Sequence, residues 1–254
     1  MKTKIAVLVS GGIDSYIAYK YAQYIGADAI PLFVNYGQPY LTKEIRACNK
    51  LFDSDLVCVN ADLVSAKLDN IPTLDKQEIY GRNILMAFYG ALIGDRVWIA
   101  SLETEMNPTA VADKHPEFFH MMSALFSHVL KTKRLETVVE TPFAKYTKSD
   151  IIKLALDTLG VSPELIKTTS TCYHEEHKQC GVCSTCFKRW IAMVNNDLVE
   201  EYHKHPYRCN EYGKNVVELM RKEIKTKVFS GRFSEKRLEE TDRALIKSGF
   251  EGIF

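Results

Sequence analysis

The stretch Ile5-Ala-Val-Leu-Val-Ser-Gly-Gly-Ile-Asp-Ser15 decides the fold of this chain. An apolar run ends at Ser10-Gly11-Gly12, and apolar side chains then recur at helical spacing until Gly26. The pattern predicts a buried strand that turns sharply into a helix. Two glycines leave the backbone N–H groups of the turn free to face an anion, and the positive end of the following helix favours negative charge there. The stretch therefore predicts an anion-binding loop.

The alternation of short apolar runs and helical patterns continues along the chain. Further strands are predicted at residues 30–34, 56–59, 97–100 and 137–140, and further helices at 41–52, 83–93, 116–130 and 147–159. Strands that are each followed by a helix imply right-handed crossovers, and hence an α/β fold with a doubly wound, parallel five-stranded sheet. Ligands of such sheets bind at the carboxyl ends of the strands, near the switch in strand order. This rule again indicates residues 10–15.

Composition excludes several classes of protein. The 254 residues carry 33 Lys and Arg against 32 Asp and Glu, which argues against a protein held on nucleic acid by charge alone. The hydrophobic fraction of 46% excludes a disordered chain. No apolar run approaches the ~20 residues that span a bilayer, and the first one is too short for a signal peptide. We therefore expect a cytoplasmic protein with no membrane partner.

Cysteine spacing indicates a metal site. The chain has seven cysteines, and four of them cluster: Cys172, Cys180, Cys183 and Cys186. In a reducing compartment such a cluster favours a metal over disulfides, and four thiolates suit a closed, structural zinc site. An iron–sulfur cluster accepts the same ligands, but the compact spacing and the hydrophilic loop favour zinc. His174 and His177 are expected on the surface of that loop, whereas Cys48 and Cys58 lie in apolar patterns and are expected in the core.

The loop resembles the Ser-Gly-Gly-x-Asp-Ser loop of the ATP pyrophosphatase (PP-loop) superfamily, whose members transfer AMP from ATP and release pyrophosphate. With the cysteine cluster, it resembles the 7-cyano-7-deazaguanine synthase family, QueC, over about residues 4–195. The other matching motifs are Tyr36-Gly37-Gln38, Gly81-Arg82-Asn83, Pro142 with Lys148, Thr171-Cys172-Tyr173, and Cys180-Gly181-x-Cys183-x-x-Cys186 with Arg189.

The resemblance implies an adenine nucleotide alpha hydrolase-like domain over residues 1–165 and a zinc-binding segment over 166–198. Residues 199–254 extend beyond the usual end of the family, and their own pattern predicts a helical extension. It implies ATP, Mg²⁺ and Zn²⁺ as cofactors and a homodimer. The implied enzyme is an ATP-dependent C–N ligase of queuosine biosynthesis. Such a ligase converts 7-carboxy-7-deazaguanine and ammonia to 7-cyano-7-deazaguanine (preQ0), through an acyl-adenylate and an amide, with release of AMP and pyrophosphate.

The resemblance also implies residue roles. Asp14, Lys148 and Arg82 would be catalytic, with Asp14 organising the loop and its metal. The metal ligands would be the four clustered cysteines, and the substrate would meet Asp113 and, as a weaker candidate, Glu103. The nucleotide would be held by Ser10, Gly11, Gly12, Asp14, Ser15, Tyr36, Gln38 and Asn83.

One segment departs from the family pattern. Family members carry Gly-Tyr-Pro-Asp-Cys-Arg before Pro-Glu-Phe, whereas this chain has Ala110-Val-Ala-Asp-Lys-His115 before Pro116-Glu-Phe118. An alternative is therefore an enzyme that stops at the amide, or that joins a deazaguanine acid to a protein amine in defence or tagging. A PP-loop tRNA-thiolation enzyme and a non-catalytic nucleotide-binding module are further alternatives. Residues 199–254 are balanced in charge and are expected to form a solvated helical extension.

Overall fold

The computed structural model describes residues 2–38, 40–61, 81–106, 112–130, 136–172, 174 and 179–254. Its sheet has five parallel strands in the order β3-β2-β1-β4-β5. The strands are β1 (Lys4–Leu8), β2 (Asp28–Asn35), β3 (Val57–Asn60), β4 (Arg96–Trp98) and β5 (Val138–Glu140). The strand order reverses beside β1, so the switch point lies at the carboxyl end of that strand. The predicted α/β fold with a doubly wound sheet is confirmed.

The five helices that the periodicity predicts are present, and further helices follow them in the chain. The described helices are α1 (Ile13–Tyr24), α2 (Leu41–Phe52), α3 (Arg82–Ile93), α4 (Pro116–Val129), α5 (Lys148–Asp157), α6 (Pro163–Thr168), α7 (Ser184–Asn195), α8 (Glu211–Thr226) and α9 (Glu235–Lys247). A capping box begins α5, as its sequence predicts: Thr147 Oγ1 accepts from the Asp150 N–H, and Asp150 Oδ2 accepts from the Thr147 N–H. None of the described helices is both long enough and apolar enough to cross a bilayer.

Both faces of the sheet are covered by helices. Ile5 and Val7 of β1 pack with α1 and α5 on one face, and Leu8 packs with α3 and α4 on the other. Cys48 is buried on α2, as expected, but Cys58 is exposed. The expectation for Cys58 is wrong because β3 is an edge strand that is poorly covered.

The carboxyl-terminal helices form a hydrophobic core of their own. Val217 of α8 and Leu245 of α9 are fully buried and pack with Phe187 and Trp190 of α7. Residues 199–254 are therefore more than a solvated extension, because their charges lie on one side of amphipathic helices whose other side is buried. This packing brings α9 against the sheet domain, where Ser234 Oγ donates to Glu103 Oε2 at 3.1 Å.

Candidate active site and metal centre

A cavity of about 320 Å³ opens at the carboxyl ends of β1, β2 and β4. It lies at the switch point that the topology rule indicates. Residues from distant parts of the chain line it: the turn after β1, the start of α3, the start of α5, the segment before Cys172, and one side each of α7 and α9. A cavity of this size with many polar groups is typical of a small-molecule site.

Glycine is required in the loop after β1. Gly11 has φ +70°, and a Cβ added to it would lie 2.5 Å from Ala47 Cβ on α2. The Gly11 carbonyl accepts a 2.8 Å hydrogen bond from the Ser170 N–H, which ties the loop to the segment before Cys172. Ser15 Oγ accepts from the Ser10 N–H and donates to the Gly12 carbonyl. The only hydroxyl proton of Ser15 is therefore used inside the loop.

Asp14 and Lys148 meet at the edge of this loop. Lys148 is the first residue of α5, and its ammonium group contacts both carboxylate oxygens of Asp14, with 2.6 Å between Nζ and Oδ2. Both side chains line the cavity. The two residues lie 134 positions apart in the sequence, so the sheet topology is what brings them together.

Two buried hydroxyl groups without a hydrogen-bond partner among the described residues lie beside the loop. Ser170 Oγ and Thr171 Oγ1 are buried, and neither forms a hydrogen bond with any described residue. Both residues line the cavity. An unsatisfied buried donor costs about 1–3 kcal/mol, so these hydroxyls fit a ligand rich in acceptor oxygens, as a phosphate chain is.

A network of polar groups lies after β2. Gln38 is buried; its Oε1 accepts from the Tyr36 N–H at 3.1 Å, and its Nε2 donates to Glu44 Oε2 at 2.8 Å. Both the oxygen and the nitrogen of the Gln38 amide are therefore hydrogen-bonded within the protein. Burial raises the pKa of Glu44 to about 7, although the hydrogen bond from Gln38 and the charge of Arg82 lower it. Burial also raises the pKa of Tyr36, so this phenol stays neutral.

Asp113 and Glu103, the two residues expected to contact the substrate, both lie outside the cavity lining. Asn83 is buried and donates from Nδ2 to the Asp113 carbonyl at 3.2 Å. Asp113 Oδ1 is buried and finds no partner within the described part of the chain, but the side chain does not line the cavity. Glu103 also lies outside the lining and accepts from Ser234, whereas its neighbour Glu105 lines the cavity and pairs with Lys114 at 2.5 Å.

The sequence analysis did not predict that charged residues of the carboxyl-terminal helices line the cavity; these are Lys188 on α7, and Arg237 and Glu240 on α9. Burial lowers the pKa of Lys188; the phenol of Tyr212 and the carboxylate of Glu105 oppose this, while the charges of Arg237 and Lys148 add to it. The sequence gives no local signal for these residues, because charged side chains on amphipathic helices are normally solvated.

The four clustered cysteines converge. The Sγ atoms of Cys172, Cys180, Cys183 and Cys186 all lie within 4.8 Å of one another. Backbone N–H groups point at three of these sulfurs: Cys180 N–H at Cys172 Sγ, Val182 N–H at Cys180 Sγ, and Cys186 N–H at Cys183 Sγ. Such bonds favour thiolates, and the pKa of Cys183 is lowered by hydrogen bonds from the Cys172 and Cys186 thiols. This is a donor set that fits a tetrahedral Zn²⁺ ion.

The turn within the metal centre depends on Gly181. Its φ is +81°, and an added Cβ would lie 1.7 Å from the Lys204 carbonyl oxygen. Buried Asn210 holds the same turn by donating to the Gly181 and Cys183 carbonyls. His174 is exposed, as expected for a surface loop. His177 and Tyr173 lie outside the described residues.

Arg189 is fully buried behind the metal centre. Its guanidinium donates to both carboxylate oxygens of Glu200, at 2.6 and 2.7 Å, and to Thr169 Oγ1 at 2.8 Å. A buried charge needs such complete pairing. The arginine that follows the last cysteine therefore holds α7 against α6 and residue 200, and has no part in the cavity.

Comparison with known proteins places the chain in a family. Residues 55–197 match the profile described as queuosine biosynthesis protein QueC. The 7-cyano-7-deazaguanine synthase of Thermoplasma volcanium is 30% identical over 244 residues, covering 86% of this chain and 98% of the relative. This chain belongs to the QueC family. Proteins of the same name from Picrophilus torridus and Methanothrix thermoacetophila are 30% and 27% identical, covering 84% and 74% of this chain and 97% and 92% of the relatives.

The matched QueC profile covers only part of the cavity and metal-site residues. The QueC profile spans Arg82, Lys148 and all four clustered cysteines, but it ends at residue 197. Arg237 and Glu240 of the cavity therefore lie beyond it. The QueC family belongs to the PP-loop superfamily, in agreement with the resemblance of the loop after β1. The relatives are named as synthases, so this chain is an enzyme of the QueC family.

Proposed function

We propose that this QueC-family enzyme is an ATP-dependent C–N ligase. It would convert 7-carboxy-7-deazaguanine and ammonia to 7-cyano-7-deazaguanine, with release of AMP and pyrophosphate. The observation that carries the proposal is the meeting of the Asp14–Lys148 pair, the glycine loop and the unused hydroxyls of Ser170 and Thr171 in one cavity. That arrangement fits the phosphates of a nucleotide and leaves the rest of the cavity for an acceptor.

Transfer of AMP would activate the carboxylate of the substrate. A carboxylate is a poor electrophile because oxide is a poor leaving group. In the proposed first step a carboxylate oxygen attacks the α-phosphorus of ATP, the bond to the bridging oxygen breaks, and pyrophosphate leaves. Ammonia then attacks the acyl carbon and AMP leaves, which gives the amide. A second ATP then adenylates the amide oxygen with loss of a proton and release of pyrophosphate, and elimination of AMP and a second proton gives the nitrile.

The roles of the loop residues follow from this chemistry. The N–H groups of the loop and Ser10 would hold the departing pyrophosphate, while Ser15 keeps the loop in shape. Lys148 and Arg82 would neutralise the charge that develops on the phosphates. Mg²⁺ would withdraw further charge from the phosphate oxygens, with Asp14 as its ligand. The fully committed amide of Gln38 suits a residue that positions Glu44 and Tyr36 rather than one that contacts the nucleotide.

The four clustered cysteines would hold Zn²⁺ in a structural role. Four thiolates complete a tetrahedral site and leave no position for water or substrate. The role of the site is then to fix the segment from Ser170 to Cys172, which walls the phosphate end of the cavity. Such a biosynthetic enzyme would act on a small molecule in the cytoplasm.

A second candidate concerns the acceptor. The altered segment before Pro116 brings Lys114 into the cavity, paired with Glu105, at a place where family members carry another residue. An enzyme that stops at the amide, or that couples the acid to an amine of a protein, would share the first step. Mass spectrometry of the small-molecule product and of added protein acceptors separates these outcomes.

Lys148→Met tests the proposal. Incubation of the wild-type enzyme with 7-carboxy-7-deazaguanine, ATP, Mg²⁺ and ammonium should yield AMP and pyrophosphate, with two AMP per nitrile. Removing the Lys148 charge should lower kcat about 10²–10³-fold, the usual effect of losing one group that stabilises transition-state charge. The control is Lys153→Met, an exposed lysine on the same helix, which should leave kcat unchanged. Release of ADP and orthophosphate in place of AMP would overturn the proposal.

A further inference from the structure

Two cationic side chains of the cavity have no partner within the described part of the chain. Lys188 of α7 and Arg237 of α9 both line the cavity. Neither the ammonium group nor the guanidinium group forms a hydrogen bond or an ion pair with any described residue, although Arg237 lies over the Phe233 ring at 5.5 Å. Arginine and lysine at a partly buried site are normally paired, so these two cationic groups fit an anionic ligand.

The three nearby carboxylates do not form direct ion pairs with Lys188 or Arg237. Asp14 is paired with Lys148, and Glu105 is paired with Lys114. Glu240 lies near Arg237. Burial raises the pKa of its carboxyl, while hydrogen bonds from Ser149 and Thr147 and the charge of Arg237 lower it, and its Oε2 is buried without a hydrogen bond to any described residue. Lys188 and Arg237 therefore bring positive charge to the cavity that no described carboxylate neutralises through a direct ion pair. A negatively charged ligand would balance it.

The proposed site for the nucleotide phosphates is formed by other residues than Lys188 and Arg237. The loop after β1 and the free hydroxyls of Ser170 and Thr171 lie on elements of the sheet domain and of the segment before Cys172. Lys188 and Arg237 come from α7 and α9. Lys148 contacts Asp14 beside the loop, and its charge also acts on Lys188, so Lys148 is near both groups. An anion held by Lys188 and Arg237 would thus lie near Lys148.

We propose that Lys188 and Arg237 form a carboxylate subsite that holds the acid substrate beside Lys148 before AMP transfer. The planar guanidinium of Arg237 can bind both oxygens of a carboxylate, and Lys188 adds a second charge-assisted bond. The inference rests on the proposed function, because it names where the acid of that reaction binds. It also gives residues 199–254 a part in substrate binding, through α9.

Arg237→Gln tests the subsite. With ATP saturating, the KM for the acid should rise about 10- to 100-fold, as expected from the loss of a charge-assisted contact, while kcat and the KM for ATP stay near those of the wild type. Arg237→Lys keeps the charge but not the planar fork and should give an intermediate KM. The matched control is Arg243→Gln, an exposed arginine on the same helix outside the cavity, which should change none of these values.

A binding measurement separates failure of the subsite from failure of the reaction. The acid is titrated into the nucleotide-free full-length enzyme by calorimetry, with thermal melts to confirm that each variant is folded. If wild-type enzyme shows no turnover, the proposed function fails, but weaker acid binding by Arg237→Gln than by Arg243→Gln still supports the subsite. Equal acid affinities, no acid binding by the wild type, or a rise in the KM for ATP instead of the acid would each overturn it.

Discussion

Glu44 shows how one side chain makes the stability of this protein depend on pH. It lies on α2 near the Gly11 loop, and burial raises its pKa to about 7. The folded state therefore binds a proton more tightly than the unfolded state, whose carboxyl titrates near 4.5. Between these two values the folded state holds more protons, so the free energy of unfolding falls as the pH rises from about 4.5 to about 7.

Glu44→Gln should remove this dependence. The variant should be more stable than the wild type at pH 8 by about 1–3 kcal/mol, because it has no buried charge to desolvate, and the difference should vanish near pH 4. Urea unfolding at a series of pH values measures it. Glu218→Gln, at an exposed position of α8, is the control and should follow the wild type throughout. A constant difference between Glu44→Gln and wild type across this range would contradict the assignment.

Two elements of the site, the loop after β1 and the metal-binding segment, depend on glycine at positive φ. At Gly181 a side chain would be strained and would also collide with the Lys204 carbonyl. At Gly249, with φ +76°, an added Cβ meets nothing within 4 Å. These two glycines therefore separate backbone strain from steric exclusion.

Gly181→Ala should cost at least about 2 kcal/mol more than Gly249→Ala, because only the first displaces backbone at the metal centre. It should also lower the zinc content of the purified protein, since the turn carries Cys180 and Cys183. Thermal unfolding and elemental analysis provide the two measurements. Equal stability of the two variants with full metal content would show that the turn tolerates a side chain.

The sequence predicted those elements whose signals are local. The strand and helix periods, the sharp turn from β1 to α1, the capping box of α5 and the convergence of the four cysteines all have signals in short windows, and each was confirmed. Anion binding by the glycine loop stays a prediction. Cys58 failed because an apolar pattern does not show that a strand lies at the edge. Lys188, Arg237 and Glu240 were missed because their place in the cavity depends on how α7 and α9 pack, which no local period reveals.

At the scale of the whole molecule, one apolar surface is left exposed by the described residues. Ile84 and Phe88 of α3 and Leu125 and Val129 of α4 are exposed large hydrophobic residues that line one shallow groove. Met121, one turn before Leu125, extends this surface. Contiguous apolar patches of this kind usually mark an interaction surface.

We expect the protein to be a homodimer through this α3–α4 surface. Leu125→Glu should give a monomer in light scattering, because a buried charge at a self-complementary interface meets its own copy. Leu219→Glu on α8 has a similar starting exposure, 41% against 44%, and should leave the mass unchanged. A wild-type protein that is monomeric at micromolar concentration would refute the expectation.

The hydrogen bond from the Ser170 amide to the Gly11 carbonyl has a consequence for the molecule as a whole. Only Thr171 separates Ser170 from Cys172, so this hydrogen bond joins the proposed phosphate-binding loop to the proposed metal site. We therefore expect binding of the proposed nucleotide and of the proposed metal to be thermodynamically linked, and such a linkage is reciprocal. Removal of the metal should weaken binding of the triphosphate before the chain unfolds. A bound triphosphate should in turn slow dissociation of the metal.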